Sequence, residues 1–119
     1  RYPVVIVQYR SRGFLRGGVG GEYPIHPLAG RGYFVLAFDR PEWRGAEAQL
    51  PYEELERRTE LDGSENRMKQ SALEAMLAEL DARGLTDPRR VGITGLSDGA
   101  ETVFWGITRS RLFAAAVTS

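Results

Sequence analysis

Gly95-Leu96-Ser97-Asp98-Gly99 sets a hydroxyl between two glycines. It follows the apolar run Val91-Gly92-Ile93-Thr94 and precedes Ala100-Glu101-Thr102-Val103-Phe104-Trp105, which can be helical. A Gly-x-Ser-x-Gly between a strand and a helix is the pattern of a nucleophile elbow, in which small residues flank a serine held up at the strand's C-terminal end. The chemistry it suits is acyl transfer. A serine hydroxyl is a poor nucleophile until a base removes its proton, so Ser97 needs a histidine within reach and a carboxylate to orient that histidine. The oxyanion must meet preorganised donors, and losing one typically costs about 10²–10³ in rate. The backbone N–H of Asp98 is one donor by the geometry of the turn. The second is expected from the loop after an earlier strand, which begins at Gln8-Tyr9-Arg10-Ser11-Arg12-Gly13-Phe14.

Other residues compete for roles at this elbow. A neighbour in sequence points elsewhere at a tight turn. The Asp98 side chain is therefore read as facing substrate or steadying the elbow, not as the triad acid. Glu101 could bind a cationic part of a substrate or cap backbone donors in the first helical turn, and the structural role is preferred. Arg10, Arg12 and Arg16 form a basic loop cluster suited to a substrate carboxylate, although solvated loop arginines are commoner. His26 lies between Pro24 and Pro27, ahead of the serine. The order expected around such an elbow is nucleophile, acid, histidine, so His26 reads as a surface or packing residue. Asp39 ends a strand and either faces the site or bonds loop amides. Trp43, Phe104 and Trp105 read as packing residues. The motif also arises by chance in glycine-rich loops, and the chain has 14 glycines. A non-catalytic α/β module that binds a peptide is thus the alternative from another class.

The elements that must position these groups are legible from hydropathy. Val4-Val5-Ile6-Val7 and Phe34-Val35-Leu36-Ala37-Phe38 are solid apolar runs, as in parallel strands buried on both faces. Val91 to Thr94 forms a third strand and Ala114 to Val117 a fourth. Residues 10–33 read as loop with one helical turn, and residues 40–63 as polar and irregular, broken by Pro41 and Pro51. Within the latter, Glu53-Glu54-Leu55-Glu56-Arg57-Arg58 reads as a solvated helical turn with i,i+4 pairing. After Gly63, Met68, Ala72, Met76 and Leu80, with Leu73 and Leu77, form the apolar stripe of an amphipathic helix that Gly84 stops. Strands alternating with crossovers argue for an α/β fold: a mostly parallel sheet with flanking helices.

Composition narrows the classes. The 119 residues allow one domain, and 16 basic and 16 acidic residues cancel, which favours neither nucleic acid nor an anionic membrane as partner. No apolar run reaches the roughly 20 residues of a membrane span. There is no cysteine, so a disulfide framework and thiolate chemistry are out, and a reducing compartment such as the cytoplasm is permitted. No cofactor and no metal are implied. The chain opens directly into a strand and its last strand ends at Ser119. Single-domain α/β proteins commonly run to about 200–250 residues, so residues 1–119 are expected to be part of a catalytic domain truncated at both ends.

Leu85-Thr86-Asp87-Pro88-Arg89-Arg90-Val91 leading into Gly95-Leu96-Ser97-Asp98-Gly99 resembles the approach to the nucleophile in prolyl oligopeptidase-type (S9) serine peptidases. Tyr2-Pro3-Val4-Val5-Ile6-Val7-Gln8-Tyr9 and Gly32-Tyr33-Phe34-Val35-Leu36-Ala37-Phe38 resemble two strands of that domain. The loop Gln8 to Gly18 departs from the His-Gly-Gly or Tyr-Gly-Gly of many relatives, and Gly99-Ala100 replaces the usual double glycine. Both stretches look like the lasso peptide isopeptidases of proteobacteria. The resemblance implies the N-terminal half of an α/β-hydrolase catalytic domain, preceded in the parent chain by a β-propeller. It also implies a peptide substrate, in this group a threaded lasso peptide whose isopeptide bond Ser97 attacks. The alternative is a general prolyl oligopeptidase-type peptidase or an esterase. Tyr9 is the candidate second oxyanion donor, with Ser11 taking that place in another alignment. The triad acid and histidine are expected beyond Ser119.

Overall fold

A computed structural model describes residues 1–8 and 24–119. Among these residues four strands, β1 (Tyr2–Gln8), β2 (Phe34–Phe38), β3 (Thr86–Gly95) and β4 (Ala115–Thr118), form one sheet in the order β2-β1-β3-β4. Every pairing is parallel. Among the described residues four α-helices accompany them: α1 (Ile25–Gly30), α2 (Tyr52–Glu56), α3 (Ser64–Ala82) and α4 (Asp98–Arg109). The expected α/β architecture is the one observed. The order has one functional consequence. The chain leaves β1 to one side for β2, then returns past β1 to β3. The C-terminal ends of β1 and β3 therefore flank a topological switch point, where open α/β sheets bind ligands. Gln8 pairs with Gly95 there.

Alternation along the strands selects the core. Val4 and Ile6 of β1, Phe38 of β2, and Val91 and Ile93 of β3 point to one face and meet Leu73 of α3 and Val103 of α4. Each such side chain, fully buried, stabilises the fold by roughly 1.5–3 kcal/mol against conformational entropy. Val7, equally buried, belongs by alternation to the opposite face.

Several boundaries differ from the sequence reading. The third strand begins at Thr86, but its pairing with β1 jumps from Tyr2–Thr86 to Val4–Val91. The intervening Asp87-Pro88-Arg89-Arg90 bulges out, and Asp87 accepts the Arg89 N–H at 3.0 Å. Proline and the Asp turn expel this stretch from the ladder. The segment read as irregular carries a 3₁₀ turn (Glu47–Gln49), α2 and a π-helical turn (Arg57–Leu61). Gly84 does stop α3, at φ 70°. The buried column of α3, however, is Glu65, Lys69 and Leu73. Ala72, Met76 and Leu77 pack beside it, while Met68 and Leu80 are only half-buried. Phe104, expected to pack, is exposed.

The expected pairing on α2 is present. Glu54 accepts from Arg57 at 2.8 Å and from Arg58 at 2.9 Å. The hydrogen bonds from Arg57 and then Arg58 lower its pKa from an ordinary 4.5 to about 2. A depressed carboxylate contributes stability above its unfolded pKa and loses it as pH falls through the folded value. The stability gap between the wild-type protein and Glu54→Gln is therefore expected to be constant above pH 4.5 and to close towards pH 2. Denaturant titrations across that window, with carboxyl NMR of Glu54, check it.

Candidate active site

Ser97 stands at the switch point, between the end of β3 and the start of α4. Its backbone has φ 55° and ψ −118°, and among the described residues it is the one non-glycine with positive φ. Such a conformation costs on the order of 1–3 kcal/mol and persists only where the surroundings impose it. Here they do. Leu96 N–H donates to the Gln8 carbonyl of β1 at 3.4 Å. Ser97 N–H donates to the Ser119 carbonyl at 3.1 Å, and Ser119 N–H to the Gly95 carbonyl at 3.1 Å. The Ser97 carbonyl accepts from Ala100 at 2.8 Å, which starts α4.

The motif glycines answer to sterics. A Cβ on Gly95 would run into the Gly99 carbonyl and stand 2.9 Å from the Ala100 nitrogen. A Cβ on Gly99 would stand 2.6 Å from the Gln8 carbonyl oxygen. The strand end, the serine turn and the first turn of α4 are thus in backbone contact. Ser97 itself is exposed, at the positive end of the α4 dipole. Among the described residues the Asp98 N–H has no backbone acceptor, as an oxyanion donor requires.

Beneath the turn is a group of charges that the sequence reading missed. Lys69 Nζ donates to Asp98 Oδ1 at 2.7 Å and lies 3.2 Å from Glu65 Oε1. Arg40, just after β2, donates to Glu65 Oε1 at 2.8 Å and lies 3.9 Å from Asp98 Oδ1. Lys69 and Glu65 are 1% and 3% exposed, so removing one partner of such a group costs about 3–5 kcal/mol. Gln8 was missed too. It is buried, and its Nε2 donates to Thr102 Oγ1 on α4 at 2.9 Å. The available signal was Glu65 and Lys69 standing two turns and one turn before Leu73 on one helical column.

The remaining candidates divide clearly. The Asp98 side chain turns to Lys69, with Arg40 nearby, and stays partly exposed. Glu101 is exposed in the first turn of α4, its N–H 3.4 Å from the Ser97 carbonyl. His26 is exposed on α1, and Asp39 is exposed beyond β2. Tyr9, Arg10, Ser11, Arg12 and Arg16 lie outside the described residues. Among the described residues no cluster of potential metal ligands occurs, and no helix is long and apolar enough to cross a membrane.

No family model matches the chain. Over its whole length it is 49% identical to lasso peptide isopeptidase AtxE2 of Asticcacaulis excentricus. Over these residues the chain is similar to part of a lasso peptide isopeptidase. It spans 17% of the length of AtxE2. The solved structure of AtxE2 without ligand superposes with a TM-score of 0.83 at 47% identity, over all of this chain and 18% of that one. A serine-to-alanine variant of AtxE2 with Astexin3-dC4 bound superposes at 0.85 and 46% identity, with the same coverage. The resemblance read from the elbow and the strands thus extends to the three-dimensional fold of an isopeptidase.

Proposed function

We propose that this chain is the nucleophile-bearing part of a serine isopeptidase that opens lasso peptides. Ser97 Oγ attacks the carbonyl that joins a peptide's N-terminal amine to an Asp or Glu side chain. The Asp98 N–H takes up the oxyanion, with Tyr9 as the second donor. Collapse of the tetrahedral species expels the amine, protonated by the histidine that had taken the serine proton. Water then cleaves the acyl-serine ester and releases a linear peptide. The acid and histidine are assigned to the stretch after Ser119 in a longer chain, and a β-propeller to the stretch before Arg1. Glu101 and Arg10 are assigned to peptide contacts.

One observation carries the reading: a strained, exposed serine at the switch point, in a chain 49% identical to an isopeptidase. Mass spectrometry tests it. The full-length protein carrying these residues is incubated with a threaded lasso peptide, with its linear counterpart, and with short chromogenic peptides and esters. The threaded peptide is expected to gain one water and lose its ring, while the linear substrates stay intact. Cleavage of short peptides or esters with the lasso untouched would replace this reading with a general peptidase or esterase. No turnover of any of them would favour a peptide-binding module.

A further inference from the structure

We propose that Lys69 is a positioning residue, which holds the oxyanion-binding N–H of Asp98 in place by gripping the Asp98 carboxylate. The inference rests on the nucleophile reading of Ser97. The sequence of α3 supplies the first argument. Its buried column would pack well with apolar residues throughout, and replacing buried ions by apolar side chains is often neutral or stabilising. Charge is nonetheless retained at Glu65 and Lys69, on the column that continues into the core at Leu73. Geometry supplies the second. Lys69 Nζ reaches the residue whose amide is the expected donor, at 2.7 Å. Glu65 fixes Lys69 from one helical turn away, and Arg40 fixes Glu65 from the end of β2. Two elements of the fold thus converge on one side chain of the elbow.

Asp98 begins α4, and its carboxylate and its N–H hang from the same Cα, so a grip on the carboxylate restrains the unit that carries the N–H. Untethering the carboxylate frees that unit to rotate, and a donor misplaced by about 1 Å costs on the order of 10² in rate. Electrostatics alone predicts the opposite sign. A carboxylate beside a developing oxyanion is unfavourable, so removing it would speed the reaction. Positioning predicts that it slows.

A fluorophosphonate, which phosphonylates an activated serine through the same oxyanion geometry, is the probe for the full-length protein. Ser97→Ala should not be labelled. Lys69→Met should label about 10- to 100-fold more slowly than wild type, but to the same endpoint per folded molecule. Asp98→Ala leaves Lys69 paired with Glu65, so its fold is less at risk, and it should be slowed equally. Asp98→Asn keeps an acceptor for Lys69 and should recover part of the rate. Labelling of Ser97→Ala at the wild-type rate would overturn the nucleophile reading itself. An unlabelled Ser97→Ala beside Asp98→Ala at or above the wild-type rate would overturn the positioning role alone.

Discussion

Ser97→Ala in the full-length protein is expected to lower turnover by roughly 10⁴- to 10⁶-fold while leaving stability unchanged. Ser97→Gly is expected to be as inactive but more stable. The difference comes from the backbone. Both substitutions remove Oγ, so neither forms an acyl intermediate. Alanine keeps a Cβ at φ 55° and ψ −118° and keeps the strain of about 1–3 kcal/mol. Glycine adopts positive φ without that strain, and gives back roughly 0.5–1 kcal/mol through the freer unfolded chain. The net gain lies between about 0 and 2.5 kcal/mol. Urea denaturation of the three proteins reads the stabilities, and lasso-peptide turnover reads the activities. Equal stability of the glycine and alanine variants would show that Ser97 stores no strain. Turnover surviving in both would remove Ser97 from the mechanism.

The elbow was legible because its requirements are local. Gly95 and Gly99 are dictated by atoms a few residues away or directly across the ladder, and the apolar runs on either side announce the strand and the helix. The solid runs Val4 to Val7 and Phe34 to Phe38 gave the parallel sheet for the same reason: burial on both faces leaves no alternation to misread. The charged group under the elbow was hidden because its members come from three places in the chain. Periodicity drew the stripe of α3 through Met68, Ala72, Met76 and Leu80, with Leu73 and Leu77 beside them, and Leu73, Ala72, Met76 and Leu77 do meet the core. The fully buried column is rotated from the centre of that stripe and runs through Glu65, Lys69 and Leu73. Hydropathy assigns a lysine to solvent. The two carboxylates on its ammonium, Glu65 one turn away and Asp98 brought in by the fold, make burial of Lys69 tolerable. Phe104 was misassigned by the same logic in reverse. An aromatic residue reads as core, yet α4 turns Val103 and Thr102 inward and leaves Phe104 56% exposed.

Gly99→Ala is expected to destabilise the protein by about 1–3 kcal/mol and to cut turnover by more than about 10²-fold. Gly92→Ala should be close to neutral. Both glycines lie near the β1–β3 ladder, so the pair separates sterics from composition. A Cβ on Gly92 finds its nearest neighbours, carbonyl oxygens of Val4 and Ala115, at 3.7 and 3.8 Å, ordinary contact distances. A Cβ on Gly99 finds the Gln8 carbonyl oxygen at 2.6 Å and its carbon at 3.1 Å. That backbone cannot step aside cheaply. The Gln8 carbonyl accepts from Leu96, and the Gln8 side chain is buried with its amide on Thr102. The clash must therefore push α4 away from the end of β1. That displacement moves Asp98 N–H away from the loop that follows Gln8, where the second donor is expected, and so widens the oxyanion site. Thermal denaturation and lasso-peptide turnover of both variants decide the matter. If Gly99→Ala matched Gly92→Ala in both measurements, the close approach of α4 to β1 would not be what holds the elbow.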